Sequence, residues 1–112
     1  MARGRTKSAG ELVRIADSNA VQEGELFRAW IGKQRILLTR WEGEVIAIDA
    51  FCPHAAADLG EGAVSRWKLI CPDHGYCFDI RNGNILWPED EYYRLKRYES
   101  LEENGSVYVR AD

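Results

Sequence analysis

The sequence is poor in most features that announce a function. It holds three cysteines, two histidines and one methionine in 112 residues. An odd number of cysteines in so small a chain makes a poor disulfide framework. No run approaches the ~20 apolar residues that a membrane span needs. The basic residues Arg3, Arg5 and Lys7 near the start have no apolar run behind them, so they do not read as a secretory signal. Basic residues number 15 against 18 acidic ones, for a net charge of −3. That balance argues against nucleic-acid binding, which calls for a basic excess on one face. Internal repeats, low-complexity stretches and strong helical periodicity are missing, as are a nucleophile with a base and a glycine loop built to cradle phosphate. The expectation is one small domain over 11–112 behind a flexible, solvated tail over 1–10, with neither membrane nor nucleic acid as partner. Without an export signal, the reducing cytoplasm is the expected location. There, thiolates serve metals more often than disulfides.

What is present is a series of short strand-like runs separated by turn residues, the pattern of a small all-β domain. Strands are expected over 11–16, 26–31, 35–41 and 45–49. Gly32-Lys33-Gln34 and Glu42-Gly43-Glu44 supply turns between them, and 17–24 reads as a polar turn with room for one helical turn. Residues 51–62 read as a loop, 63–70 as a return to strand, 71–75 as a second loop and 76–80 as a short strand. Asn82-Gly83 is a tight-turn signal, and a terminal hairpin is expected from 93–101 and 107–109 across Asn104-Gly105. The segment 87–92 gives no clear pattern. Trp30 and Trp41 are expected in the core.

Two clusters carry the chemistry: Cys52-Pro53-His54 and Cys71-Pro72-Asp73-His74. Each sets a thiolate and an imidazole a residue or two apart, and together they use both histidines of the chain. Two loops that each offer Cys and His suit a [2Fe–2S] centre in which one iron takes two thiolates and the other takes two imidazoles. Pro53 and Pro72 push the preceding cysteine toward extended backbone and stiffen the loop at the thiolate. A structural zinc site would accept the same four side chains. It does not, however, need the Gly75-x-x-Phe78-Asp79 that follows. Cys77 reads as a small buried or half-buried hydrophobe. Asp79 reads as a structural residue bonding a turn. Trp67, Trp87, Phe51, Tyr76 and Phe78 are expected mostly to keep water off the sulfurs, with one or two at a docking rim. The acidic run Glu89-Asp90-Glu91 is expected to be a solvated face.

These residues resemble the Rieske-type [2Fe–2S] ferredoxins, the electron-transfer components of ring-hydroxylating oxygenase systems. One half of the family pattern is matched at Cys52, His54, Ala57, Leu59 and Gly62, the other at Cys71, Pro72, His74, Gly75, Phe78, Asp79 and Gly83. The resemblance implies an antiparallel β-sandwich-like base with a smaller cluster-binding subdomain over about 50–85. It implies one cluster per chain, with Cys52 and Cys71 on the inner iron and His54 and His74 on the outer one through Nδ1. The two histidines would form the electron exit, with Pro53, Ala57, Pro72, Gly75, Tyr76 and Phe78 as the surroundings of the cluster. The high-potential branch of the family adds a disulfide beside the cluster, and it places Ser and Tyr hydroxyls there. Here Ala57 and Asp73 stand at the cysteine positions, and Tyr76 and Phe78 at the hydroxyl positions. A potential near the low end of the range of about −150 to +300 mV is therefore expected. Trp87-Pro88-Glu89-Asp90 reads as a shortened form of the family's proline-containing covering loop.

The function implied is a one-electron carrier that does no chemistry on substrate itself. It would take electrons from a flavin-dependent or ferredoxin reductase and pass them to a terminal oxygenase. Two alternatives stand beside it: the small subunit of a cytoplasmic NADH-dependent nitrite reductase, and a structural zinc-binding module.

Overall fold

The computed structural model describes residues 10–111; of the tail expected over 1–10, residues 1–9 lie outside them. Gly10 is tied down, because its carbonyl accepts from Arg110 Nη1 at 2.7 Å. β1 (Leu12–Asp17) is followed by a single 3-10 turn, Ser18–Ala20, inside the segment read as a polar turn with room for one helical turn. β2 (Leu26–Ile31), β3 (Gln34–Trp41) and β4 (Glu44–Asp49) form a meander. After the first loop come β5 (Ala63–Ser65) and β6 (Lys68–Ile70), then the second loop, β7 (Cys77–Asp79) and β8 (Ile85–Trp87). The chain closes with β9 (Arg97–Tyr98), β10 (Ser100–Glu103) and β11 (Ser106–Arg110).

Three antiparallel sheets result, ordered β1-β11-β10, β2-β3-β4-β9 and β5-β6-β7-β8. The middle sheet explains the architecture. Side chains alternate across a strand, so Ile36 and Leu38 of β3 and Val45 and Ala47 of β4 face one way. They pack with Ala16, Val107 and Val109 of the first sheet. Leu37, Ile46 and Ile48 face the other way and pack with Leu69, Phe78, Cys52 and Cys71. A strand buried on both faces reads as an unbroken apolar run, which Ile36-Leu37-Leu38 and Val45-Ile46-Ala47-Ile48 are. Each fully buried Leu or Ile contributes about 1.5–3 kcal/mol. The all-β base and the smaller third sheet match the expected fold class.

Three expectations need correction. Residues 63–70 are a hairpin and not one run, because Arg66 and Trp67 take φ of 52° and 64° and turn the chain between β5 and β6. The arm expected over 93–101 divides at Glu99: β9 pairs with β4, and β10 pairs with β11. Trp30 is 52% exposed, since its neighbour Ala29 takes the inward face of β2 and alternation turns Trp30 outward. Trp41 is half-buried against the core that holds the cysteines.

Two glycines join the parts. A Cβ at Gly62 would lie 2.3 Å from the Ile70 carbonyl oxygen. The exit of the first loop therefore sits directly on the entry to the second. At Gly83, φ is 82° and a Cβ would lie 2.2 Å from the Leu95 carbonyl oxygen. Both are positions that only glycine fills without backbone movement.

Candidate metal centre

The first loop leaves β4 and is pinched shut by a bridge between Phe51 and Asp58. Inside it, the Cys52 N–H donates to the Ala57 carbonyl at 2.9 Å, and the Ala56 N–H to the Cys52 carbonyl at 2.7 Å. Asp58 then caps the 3-10 turn Leu59–Glu61 by accepting from the Gly60 N–H at 2.9 Å. It also accepts from Arg28 of β2 at 3.1 Å, which ties the loop to the base. Burial pushes the Asp58 carboxyl up, but the Gly60 amide, Arg28 and Arg35 outweigh this and hold it below its ordinary value.

The second loop is the tip of the β6–β7 hairpin. The Cys71 N–H donates to the Tyr76 carbonyl at 2.7 Å. His74 and Gly75 both take left-handed backbone, with φ of 69° and 72°. The Asp73 N–H points back at Cys71 Sγ, 3.4 Å away. An amide aimed at a ligating sulfur stabilises charge on it and tunes a cluster's potential.

The loops bring the sequence-read donors together. Cys52 and Cys71 are 2% and 1% exposed and unpaired by any disulfide. Burial pushes the Cys71 thiol up to about 11; the Asp73 amide opposes this, while the adjoining Cys52 thiol adds to it. A cation supplies what such a pair lacks, since coordination deprotonates a thiol outright. The His54 and His74 rings stand 5.5 Å apart, centroid to centroid, at 75°. His54 Nδ1 is buried with no hydrogen-bond partner among the described residues. An orphaned buried acceptor costs about 1–3 kcal/mol, a cost that a metal bond removes. Among the described residues, no group of three or more His, Cys, Asp or Glu is arranged to hold a single metal ion. Two thiols together and two imidazoles together suit a binuclear iron–sulfur cluster.

The surroundings divide by depth. Phe78 is fully buried in the core that holds both cysteines, and Ala57 and Trp67 pack against it. Pro53, Pro72 and Gly75 are exposed. Tyr76 is stacked on His54, with ring centroids 3.8 Å apart and planes 11° apart. Trp87 and Phe51 are 54% and 36% exposed and are not among the side chains packed against the core that holds the cysteines. Cys77 is half-buried, and burial raises its thiol. The Arg81 guanidinium holds Asp79 below its ordinary value against the opposing effect of burial, and the Arg81 N–H donates to it at 2.9 Å. Sequence reasoning missed Tyr93, whose ring meets His54 edge-to-face at 5.6 Å. It also missed the Arg28–Asp58 tie. Tyr93 lies just past the unreadable 87–92 segment, and no motif marks either feature.

Comparison with known proteins agrees with this geometry. Human apoptosis-inducing factor 3 is 34% identical over 93 residues, covering 81% of this chain and 15% of that protein. The first curated relatives are all longer proteins, of which the chain spans 11% to 24%. The ferredoxin component of a Ralstonia naphthalene 1,2-dioxygenase/salicylate 5-hydroxylase system is 32% identical over 66 residues, 59% of this chain and 64% of that one. Among solved structures, the ferredoxin of Sphingomonas yanoikuyae B1 superposes with a TM-score of 0.82 at 26% identity, covering 91% of this chain and 100% of that one. A model of the Rieske [2Fe-2S] domain matches residues 11–99, both loops included, so the chain belongs to that family and its cofactor is a Rieske-type [2Fe–2S] cluster.

Proposed function

We propose that this chain is a soluble cytoplasmic one-electron carrier, with Cys52 and Cys71 holding one iron and His54 and His74 the other. When bound, the cluster supplies reversible one-electron chemistry. The chain's own residues do the rest. The middle sheet and Phe78 keep water from the thiolates, and the Asp73 amide favours charge on Cys71. The imidazoles lie at the outer side, with His74 exposed, and form the electron exit. The cluster-binding part is residues 50–85, and the whole of 11–112 acts as one domain. Electrons enter from a flavin-dependent or ferredoxin reductase and leave to a terminal oxygenase, which does the chemistry on substrate. The ferredoxin-component role of the Ralstonia relative supports this direction of flow. Among the described residues, no helix is long and apolar enough to cross a membrane. The free thiols suit a reducing compartment.

The observation that carries the reading is the pairing of donors: buried thiol with buried thiol, and imidazole with imidazole, one of them with an unsatisfied Nδ1. The test is metal analysis of purified protein followed by low-temperature electron paramagnetic resonance after dithionite reduction. Equal amounts of iron and acid-labile sulfide, with the spectrum of a nitrogen-ligated cluster, are expected. A colourless zinc protein sinks the reading.

A further inference from the structure

The two imidazoles are held differently. His74 is exposed, and the ring it meets among the described residues is that of His54. His54 is half-buried and forms one corner of a closed triangle of rings with Tyr76 and Tyr93. Tyr76 lies flat on it at 3.8 Å and 11°. Tyr93 meets it edge-to-face at 5.6 Å and meets Tyr76 at 6.1 Å. Trp87 braces Tyr76 from β8, at 6.4 Å and 74°.

We infer that Tyr76 is a positioning residue for His54: its ring, braced by Tyr93 and Trp87, fixes the plane in which the buried Nδ1 meets iron. This rests on the ligand assignment proposed above. The nitrogen lone pair lies in the imidazole plane, so a metal bond survives only while that plane keeps its orientation. The side chain turns about χ1 and χ2, and χ2 of a histidine has a broad, weakly defined minimum. Something outside the residue must set it. A ring stacked at 3.8 Å does so, because turning the imidazole drives its edge into the face of Tyr76. The phenol hydroxyl plays no part. The β6–β7 hairpin therefore carries two ligands of its own and also the ring that orients a ligand from the other loop.

The test uses cluster-loaded protein and the variants Tyr76→Phe, Tyr76→Leu and Tyr93→Leu. Two quantities are read: the rate at which an iron chelator bleaches the visible absorption, and the nitrogen couplings of the two ligating histidines by electron–nuclear double resonance. Tyr76→Phe should match the parent in both. Tyr76→Leu keeps apolar cover but loses the ring face. It should bleach between about twofold and about tenfold faster, the range an aromatic pair supports. It should also broaden or shift the coupling of one histidine and leave the other in place. Tyr93→Leu should move both readouts in the same direction by less, and it decides the matter if Tyr76→Leu fails to load. Couplings unchanged in the loaded leucine variants overturn the inference, and so does a phenylalanine variant as impaired as the leucine one. A wild type without iron and sulfide overturns the carrier reading and this inference with it. A loaded wild type with indifferent variants overturns this inference alone.

Discussion

The two loops that meet at the metal centre are built on the same plan and anchored in opposite ways. Each starts Cys-Pro and closes on the amide of its own cysteine, Cys52 to Ala57 and Cys71 to Tyr76. The first stands on the isolated Phe51–Asp58 bridge rather than on a strand ladder. It is held from outside, by Arg28 on Asp58 and by aromatic rings on His54. The second grows from the β6–β7 ladder and needs no such tether. It places His74 at the surface in left-handed backbone. The lesson is a division of labour: the tethered loop fixes a sheltered imidazole, and the hairpin presents an open one.

Removing a ligand from either loop is the harshest trial of that comparison. His54→Ala and Cys71→Ser should both abolish the cluster, so the visible absorption disappears altogether. Loss should be equal from the two sides, because on the proposed assignment each loop supplies one sulfur and one nitrogen. An unchanged visible spectrum in either variant breaks the ligand assignment. The next largest effect is at the joint between the loops. Gly62→Ala places a methyl group 2.3 Å from the Ile70 carbonyl oxygen. The obstacle is backbone, so the Ala63–Ile70 pairing must shift. A cost of about 1–3 kcal/mol follows, read as a lower thermal midpoint and faster cluster loss. A variant as stable as its parent would mean that the loops are not coupled there.

How much of this could be read from the chain depended on where the determining contact lay. The middle sheet was legible because burial on both faces leaves continuous apolar runs, Ile36-Leu37-Leu38 above all. The loops were legible because Cys, Pro and His fall within a few residues of one another. The β5–β6 hairpin was hidden, since Arg66-Trp67 carries neither of the residues, Gly and Asn, that signal left-handed turns. The rings around His54 were legible only in part. Tyr76 adjoins a motif, but Tyr93 arrives from a segment with no periodicity, and its contact exists only in three dimensions. The Arg28–Asp58 tie joins β2 to a loop beyond β4, and no local pattern encodes such a pair.

That tie gives a smaller prediction, specific to one loop. Asp58→Asn should cost less than about 1 kcal/mol, because asparagine caps about as well as aspartate and the partly exposed ion pair it removes contributes little. Hydrogen exchange should quicken around Cys52 and stay unchanged around Cys71. The acid limb offers a second reading. Asp58 is held below its ordinary 3.8, so its contribution is fully present above that value and is lost as pH falls through the lower folded-state value. The difference in stability between parent and Asp58→Asn should therefore shrink as the solution is acidified below about pH 4. A difference that grows on acidification would reverse the sign and remove Asp58 as a tether.

The smallest effect should come from Cys77, and that is what makes it informative. It sits at the start of β7, opposite Ile70 in the ladder, one residue past the loop that holds Cys71. If the site drew on any nearby thiol, this one would serve. Its thiol is half-buried, and burial pushes it up as it does that of Cys71. The proposed assignment leaves it no role, since there each tip already gives one sulfur. Cys77→Ser keeps the shape and exchanges a weakly polar atom for a polar one, a change of less than about 1 kcal/mol at a half-exposed position. The visible and magnetic spectra of the variant should overlay those of the parent. A shifted spectrum would mean that the hairpin contributes a second sulfur and that the symmetry between the loops is false.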